Sequence, residues 1–244
     1  MARLFLTGGG GMVGRNICAD EAAGAWDVLA PRSAELDLTD AAAVEAYLVS
    51  HKPDVVVHAA GRVGGIQANM ANPVAFREEN IAIGRNVIMG ARKAGVGTLI
   101  NLASTCMYPR EGENPLREET ILTGPLEPTN EGYAIAKIMA MKLCDYIRAE
   151  DAEAQYKTLI PCNLYGPHDK FDPKNSHLLP AIIRKADEAM KSGSDTVEIW
   201  GDGTARREFM YAPDLADAVW RAVSNTHDLP GAMNVGLGHD HSIN

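Results

Sequence analysis

Five short apolar and β-branched runs, Arg3–Thr7, Trp26–Ala30, Asp54–His58, Thr98–Leu102 and Tyr156–Ile160, alternate with longer amphipathic segments of helical spacing. Parallel strands need crossovers, and those are usually helical, so the alternation predicts an α/β fold: a doubly wound parallel sheet covered on both faces. After about residue 163 the pattern loosens into LYGPHDKFDPKNSH, rich in Pro, Asn and Asp, before an apolar helical run from Leu178 to Met190. A second, smaller region is expected there. Further on, REFMYAPDLADAVWRAV reads as a strand over Glu208–Tyr211 and a helix from about Pro213, because proline suits the first helical turn. That unit is expected to rejoin the sheet. No internal repeat, low-complexity tract or flexible linker interrupts the chain, so the two regions are expected to share an interface, with the site in the cleft between them.

The stretch FLTGGGGMVGRN follows the first strand and opens a helix. Its glycines fit two spacings, Gly8, Gly11 and Gly14 or Gly9, Gly11 and Gly14. Either lays bare backbone beside a phosphate at a helix N-terminus, which is the dinucleotide-binding arrangement of a Rossmann sheet. Where a carboxylate for an NAD ribose would stand, APRSAELDL offers Arg32 and Ser33, groups suited to a 2′-phosphate, so NADP is the expected cofactor. Asp37 lies later and either flanks the adenine or caps the helix that begins near Asp40. The expected partition is a cofactor-binding domain over residues 1–163 and 208–235, and a partial substrate domain over residues 164–207 and 236–244.

Bulk properties narrow the partners. The 244 residues are 46% hydrophobic, enough for a substantial core, and the net charge of -9 argues against broad nucleic-acid or anionic-membrane binding. A small-molecule partner is expected, held where needed by a local cationic pocket. Cys18, Cys106, Cys144 and Cys162 show neither zinc spacing nor a disulfide framework and read as reduced thiols; no metal site is expected. No apolar run approaches the roughly twenty residues of a spanning helix, which makes the cytoplasm the default location.

In NEGYAIAKIMAMKLCDYI, Tyr133 and Lys137 stack on one helical face, where the ammonium is expected to lower the phenol pKa and ready it for proton transfer. Ser104, just past the fourth strand, completes a Ser–Tyr–Lys set. His58 ends a core strand in VHAAG and is expected to satisfy backbone groups.

With the glycine turn, this set resembles the extended short-chain dehydrogenase/reductases. The segments HAAGRVGGIQAN, STCMYP, LEPTNEGYAIAK, NLYGPHDKFDPKNSHLLPAIIRK and WGDGTARREF are similar, in order, to those of the GDP-L-fucose synthase family. The resemblance spans essentially the whole chain. It implies an NADPH-dependent enzyme that epimerises GDP-4-keto-6-deoxymannose at C3 and C5 and reduces its 4-ketone, and it implies a homodimer through paired helices. Ser104, Tyr133 and Lys137 fall on the family's catalytic residues. Cys106 is then the implied base and His177 the acid of epimerisation, although by residue type alone a free cysteine is more often inert and a loop histidine more often a surface group.

The same resemblance implies cofactor contacts from the turn residues Gly8, Gly11, Met12, Val13 and Gly14, from Arg32 and Asp37, and from Ala59 and Ala60 after the third strand. Pro161, Asn163 and Leu164 after the fifth strand, with Tyr133, Lys137 and His177, complete that set. Substrate contacts are implied for Ser104, Asn163, Lys185, Trp200 and Arg207. A guanidinium suits a diphosphate because it binds two oxygens at once, and adjacent Arg206 is the alternative register. Thr105, Cys106 and Met107 stand where a 4,6-dehydratase carries an acidic pair, and a simple 4-epimerase needs no Cys–His couple. A reductase of a related GDP-keto sugar, such as a heptose, and a noncatalytic NADP-binding subunit are the remaining alternatives. The chain stops at MNVGLGHDHSIN where that family continues, so its substrate domain is expected to be incomplete.

Overall fold

A computed structural model of the chain describes residues 1–173, 176–199, 201 and 203–243. The main sheet has six strands: β1 (Ala2–Thr7), β2 (Trp26–Leu29), β3 (Val55–His58), β4 (Thr98–Leu102), β5 (Gln155–Pro161) and β9 (Ala232–Val235). Their order is β2-β1-β3-β4-β5-β9, and every pairing is parallel. The first crossover runs outward from β1 to β2 and the next returns to β3 on the opposite side, so the β1/β3 boundary is a topological switch point, where such sheets bind ligands.

Alternation along the strands builds two cores. Leu4 and Leu6 of β1, Val55 and Val57 of β3 and Ile100 of β4 face α1 (Met12–Ala19) and α7 (Ala212–Ser224). Phe5, Val56 and Leu99 face the other way, against α2 (Ala41–His51), α4 (Pro73–Lys93) and α5 (Glu131–Glu150). Asp40 caps α2 by accepting from the N–H groups of Ala42 and Ala43. Trp220 ties α7 to α1 by donating its indole N–H to the Ile17 carbonyl at 3.0 Å.

One expectation changes here. The strand expected over Glu208–Tyr211 is observed as β8 (Phe209–Tyr211), and it does not join the main sheet; it pairs with β6 (Asn163–Tyr165) in a parallel ribbon. The place beside β5 belongs instead to β9, whose four residues AMNV were too short to stand out in the sequence. A second ribbon joins β7 (Arg206–Arg207) to β10 (His241–Ser242). The apolar run from Leu178 is α6 (Leu178–Ser192), and a short helix, α3 (Ile66–Ala71), precedes α4.

Candidate active site

The carboxyl ends of β1, β3, β4 and β5 open into one long cleft of about 2340 Å³, closed on its far side by α6 and the β7–β10 ribbon. Single ligand pockets are typically about 300–1,000 Å³. The cleft therefore has room for two sizeable ligands side by side.

At one end is the glycine turn. Gly8 has a positive φ of 74°, and a Cβ there would lie 2.9 Å from the Ala60 backbone. A Cβ on Gly14 would meet the Gly8 carbonyl oxygen at 2.2 Å, which nothing can relieve because the obstacle is backbone. A Cβ on Gly9 would also clash, 2.7 Å from the rigid Cβ of Ala30, but Gly8 alone of the two has a positive φ, so the spacing Gly8, Gly11, Gly14 is the one the backbone conformation favours. Gly11 is the N-cap of α1 and donates to the Gly8 carbonyl at 2.9 Å. This backbone cradle, which side chains would fill, fits a dinucleotide pyrophosphate. Met12, Val13, Arg32, Ser33, Asp37, Ala59 and Ala60 line the same end. Asp37 is not the helix cap; its carboxylate accepts from the N–H and hydroxyl of Thr39, which holds it below the usual carboxylate range.

Ser104 follows β4 and begins a 3-10 turn, Thr105–Met107, whose Cys106 N–H points at Ser104 Oγ (3.5 Å). Across the cleft, α5 presents Tyr133 and, one turn on, Lys137, with Nζ 5.7 Å from the tyrosine ring centroid. Lys137 is buried and donates to the Leu102 carbonyl at 2.9 Å, fastening the end of β4 two residues before Ser104. The helix and the strand end thus bring Ser104, Cys106, Tyr133 and Lys137 to one place, and His177, the N-cap of α6, lines the same cleft.

Their electrostatics correct one expectation. The phenol of Tyr133 is pushed up, not down: burial disfavours phenolate first, and a charge on Cys106, when that thiol is ionised, adds to the effect. Lys137 itself is pushed down to about 8 by burial. Tyr133 therefore keeps its proton at neutral pH, which suits an acid that protonates a developing alkoxide. Burial also pushes the Cys106 thiol up to about 11, against the favourable Ser104 hydrogen bond and Lys137 charge. His58 differs from expectation in partner: its Nδ1 shares a hydrogen bond of 2.8 Å with Thr7 Oγ1, which also accepts the Ala60 N–H. Burial and the Lys137 charge drive this imidazole down to about 3, so it is neutral and structural.

At the other end, the two arginines part company. Both line the cleft, but Arg206 is held by Asp240 at 2.8 Å, whereas the Arg207 guanidinium donates to the Arg206 carbonyl. Arg207 is thus the better placed to meet a diphosphate. Lys185 lines the cleft while donating to the Glu198 carbonyl, and Asn163 lines it while donating to the Glu208 carbonyl, which joins β6 to β8. Pro161 and Leu164 complete this wall, and Trp200 lies outside the described residues.

Sequence reasoning missed Asn80. From the middle of α4 its amide accepts from the Arg62 N–H and donates to the Arg62 carbonyl, pinning the loop after β3 at the cleft rim. A buried asparagine among the charged residues of REENIAIG was the available signal.

Comparison with known proteins places this geometry. The NAD dependent epimerase/dehydratase family matches residues 4–236. A GDP-L-fucose synthase from Azorhizobium caulinodans is 54% identical over 241 residues, covering 99% of this chain and 77% of that protein. A GDP-L-colitose synthase from Yersinia pseudotuberculosis is 52% identical over 241 residues, covering 99% of this chain and 78% of that protein. Among solved structures, a GDP-mannoheptose C4 reductase from Campylobacter jejuni with NADP bound has a TM-score of 0.89 at 29% identity, covering 99% of this chain and 82% of that one. With its glycine cradle, its Ser–Tyr–Lys set and these homologues, the chain belongs to the NAD dependent epimerase/dehydratase family, among the relatives of the GDP-L-fucose synthases.

Proposed function

We propose that this chain is an NADPH-dependent epimerase/reductase that converts GDP-4-keto-6-deoxymannose to GDP-L-fucose. The observation that carries this reading is Cys106, a half-buried thiol two residues beyond Ser104, on the wall of the cleft that also holds Tyr133, Lys137 and His177. A reductase alone needs no thiol there.

NADP fits the cradle: the backbone of Gly8, Gly11 and Gly14 would take the pyrophosphate, and Arg32 and Ser33 the 2′-phosphate. When bound, the reduced cofactor supplies a hydride for C4. The rest is chemistry of the chain. The hydrogens on C3 and C5 flank the ketone, so their removal gives an enolate, whose oxygen Ser104 and Tyr133 hold by hydrogen bonds. Cys106, as thiolate, takes the proton from one face, and His177 returns one to the other, inverting the carbon. Tyr133 then gives its proton to the C4 oxygen as the ketone is reduced. Lys137 supplies the positive charge beside it, and Arg207 and Lys185 receive the diphosphate.

The test supplies GDP-4-keto-6-deoxymannose and NADPH in deuterated water and locates deuterium in the product. Label at C3 and C5 with stoichiometric NADPH oxidation is expected; turnover without label at either carbon would sink the epimerase. A second reading, action on a different GDP-4-keto sugar, draws on the nearly equal identity to the GDP-L-colitose synthase. Preference for another GDP-4-keto sugar in kcat/KM would select it.

A further inference from the structure

Resting on that reading, we infer that Tyr108 is a positioning residue for the epimerisation base, acting through Asn234. The 3-10 turn carrying Cys106 is short and is closed by its own backbone: Met107 N–H donates to the Ser104 carbonyl and Tyr108 N–H to the Thr105 carbonyl, both at 3.2 Å. Those bonds shape the turn but do not fix it relative to the cleft. Met107 and Tyr108, both buried, sink it into an apolar cluster with Ile121, Ile138 and Ile160, against which Cys106 is partly buried.

Backbone bonds flank the turn, from the Ala103 N–H to the Leu159 carbonyl and from the Arg110 N–H to the Pro125 carbonyl, and within it a side-chain contact adds a further directional tie. The Tyr108 hydroxyl donates to Asn234 Oδ1 at 2.5 Å, across 126 residues of chain. Asn234 sits on β9 and is itself oriented on two sides: its Nδ2 donates to the Leu116 carbonyl at 3.0 Å, and its backbone N–H to the Glu118 carboxylate at 2.6 Å. One asparagine therefore joins the cysteine turn, β9 and the loop that follows the turn. The Ser–Tyr–Lys set is held from the other side: Tyr133 and Lys137 are carried by α5, and Ser104, which opens the turn, follows directly on Leu102, whose carbonyl Lys137 fastens, and Ala103, whose N–H donates to the Leu159 carbonyl at 2.8 Å. Loss of the Tyr108 bond should thus loosen Cys106 while leaving reduction in place, and an error near 1 Å at a reacting group costs on the order of a hundredfold in rate.

The experiment separates the two steps. Epimerisation is read as C3 and C5 deuterium exchange on GDP-4-keto-6-deoxymannose with NADP⁺ in place of NADPH; reduction is read as NADPH oxidation on the already epimerised ketone. Tyr108→Phe should lose roughly ten- to a hundredfold of exchange while keeping reduction and NADPH affinity. Asn234→Leu should do the same, and the double variant should lose no more than either single one. Tyr156→Phe is the control for stability: it removes another buried phenol bond, to the Val96 carbonyl, and should lower Tm without changing exchange. If Tyr108→Phe exchanges normally while Cys106→Ser does not, the positioning role is wrong and the function stands. If Tyr108→Phe loses exchange and reduction equally, its role is structural and the inference is overturned. If Cys106→Ser also exchanges normally, the base assignment and this inference fall together.

Discussion

At the residue scale, the site's chemistry is a contest between burial and neighbouring charge. Lys137 and Tyr133 share a helix face, as their spacing requires, yet each is shifted first by desolvation: the ammonium down to about 8, the phenol up. Lys137 is charged below that value and loses its charge above it. Reduction that uses its positive charge is therefore expected to fall as pH rises through about 8, and Lys137→Met should give low activity with that limb absent. Proton exchange should behave oppositely. With Cys106 at about 11, the thiolate fraction, and with it the exchange rate, grows about tenfold per pH unit while Lys137 stays charged, then less steeply. His58 yields a prediction about stability. Its folded pKa of about 3 lies below the ordinary 6.5, so between these values the unfolded chain binds a proton that the folded chain refuses. Stability should drop as pH falls through that window. His58→Phe should flatten the slope and, by stranding the Thr7 hydroxyl, cost roughly 1–3 kcal/mol at neutral pH, measured by denaturant titration.

Elements hold these residues where they act, and some of that was legible in local sequence. The glycine turn was visible as strand, glycines, helix, although the choice between Gly8 and Gly9 was not. It rests on the positive φ that the folded turn imposes on Gly8, since a Cβ on either would clash, with the Ala60 backbone at 2.9 Å for Gly8 and with the Ala30 Cβ at 2.7 Å for Gly9. Gly14→Ala should abolish NADPH binding, because its Cβ would meet the Gly8 carbonyl, while Gly10→Ala, which meets nothing within 4 Å, should bind normally; fluorescence titration with NADPH distinguishes them. Strand β8 shows the opposite case. Its alternation was read correctly as a strand, but pairing partners are not written in a three-residue run, and β6 claimed it in place of the main sheet.

At the scale of the whole molecule, the cleft assembles walls from distant parts of the chain: Arg32, Ser104, Tyr133, His177 and Arg207 line one space. Next to the β7–β10 ribbon the fold treats two adjacent arginines differently: Asp240, just before β10, engages Arg206, while the Arg207 guanidinium bonds a backbone carbonyl. Arg207→Ala should raise KM for the GDP-sugar on the order of tenfold, the loss expected for one charge-assisted contact of about 1.5 kcal/mol. Arg206→Ala should raise it far less, and steady-state kinetics on both variants would expose a wrong register.

By itself the sequence determined whatever depends on near neighbours. The alternation of strands and helices, the glycine turn, the four-residue step from Tyr133 to Lys137 and the thiol two places past Ser104 are all local, because period and spacing follow from backbone geometry. Tertiary structure alone decided what depends on enclosure and on partners far along the chain. It buried Tyr133 and Lys137 enough to reverse the expected direction of the phenol's shift, gave the place beside β5 to β9, chose Gly8 over Gly9, and set Tyr108 against Asn234. Desolvation and long-range hydrogen bonding depend on what the fold packs around a residue, and spacing along the chain does not encode that.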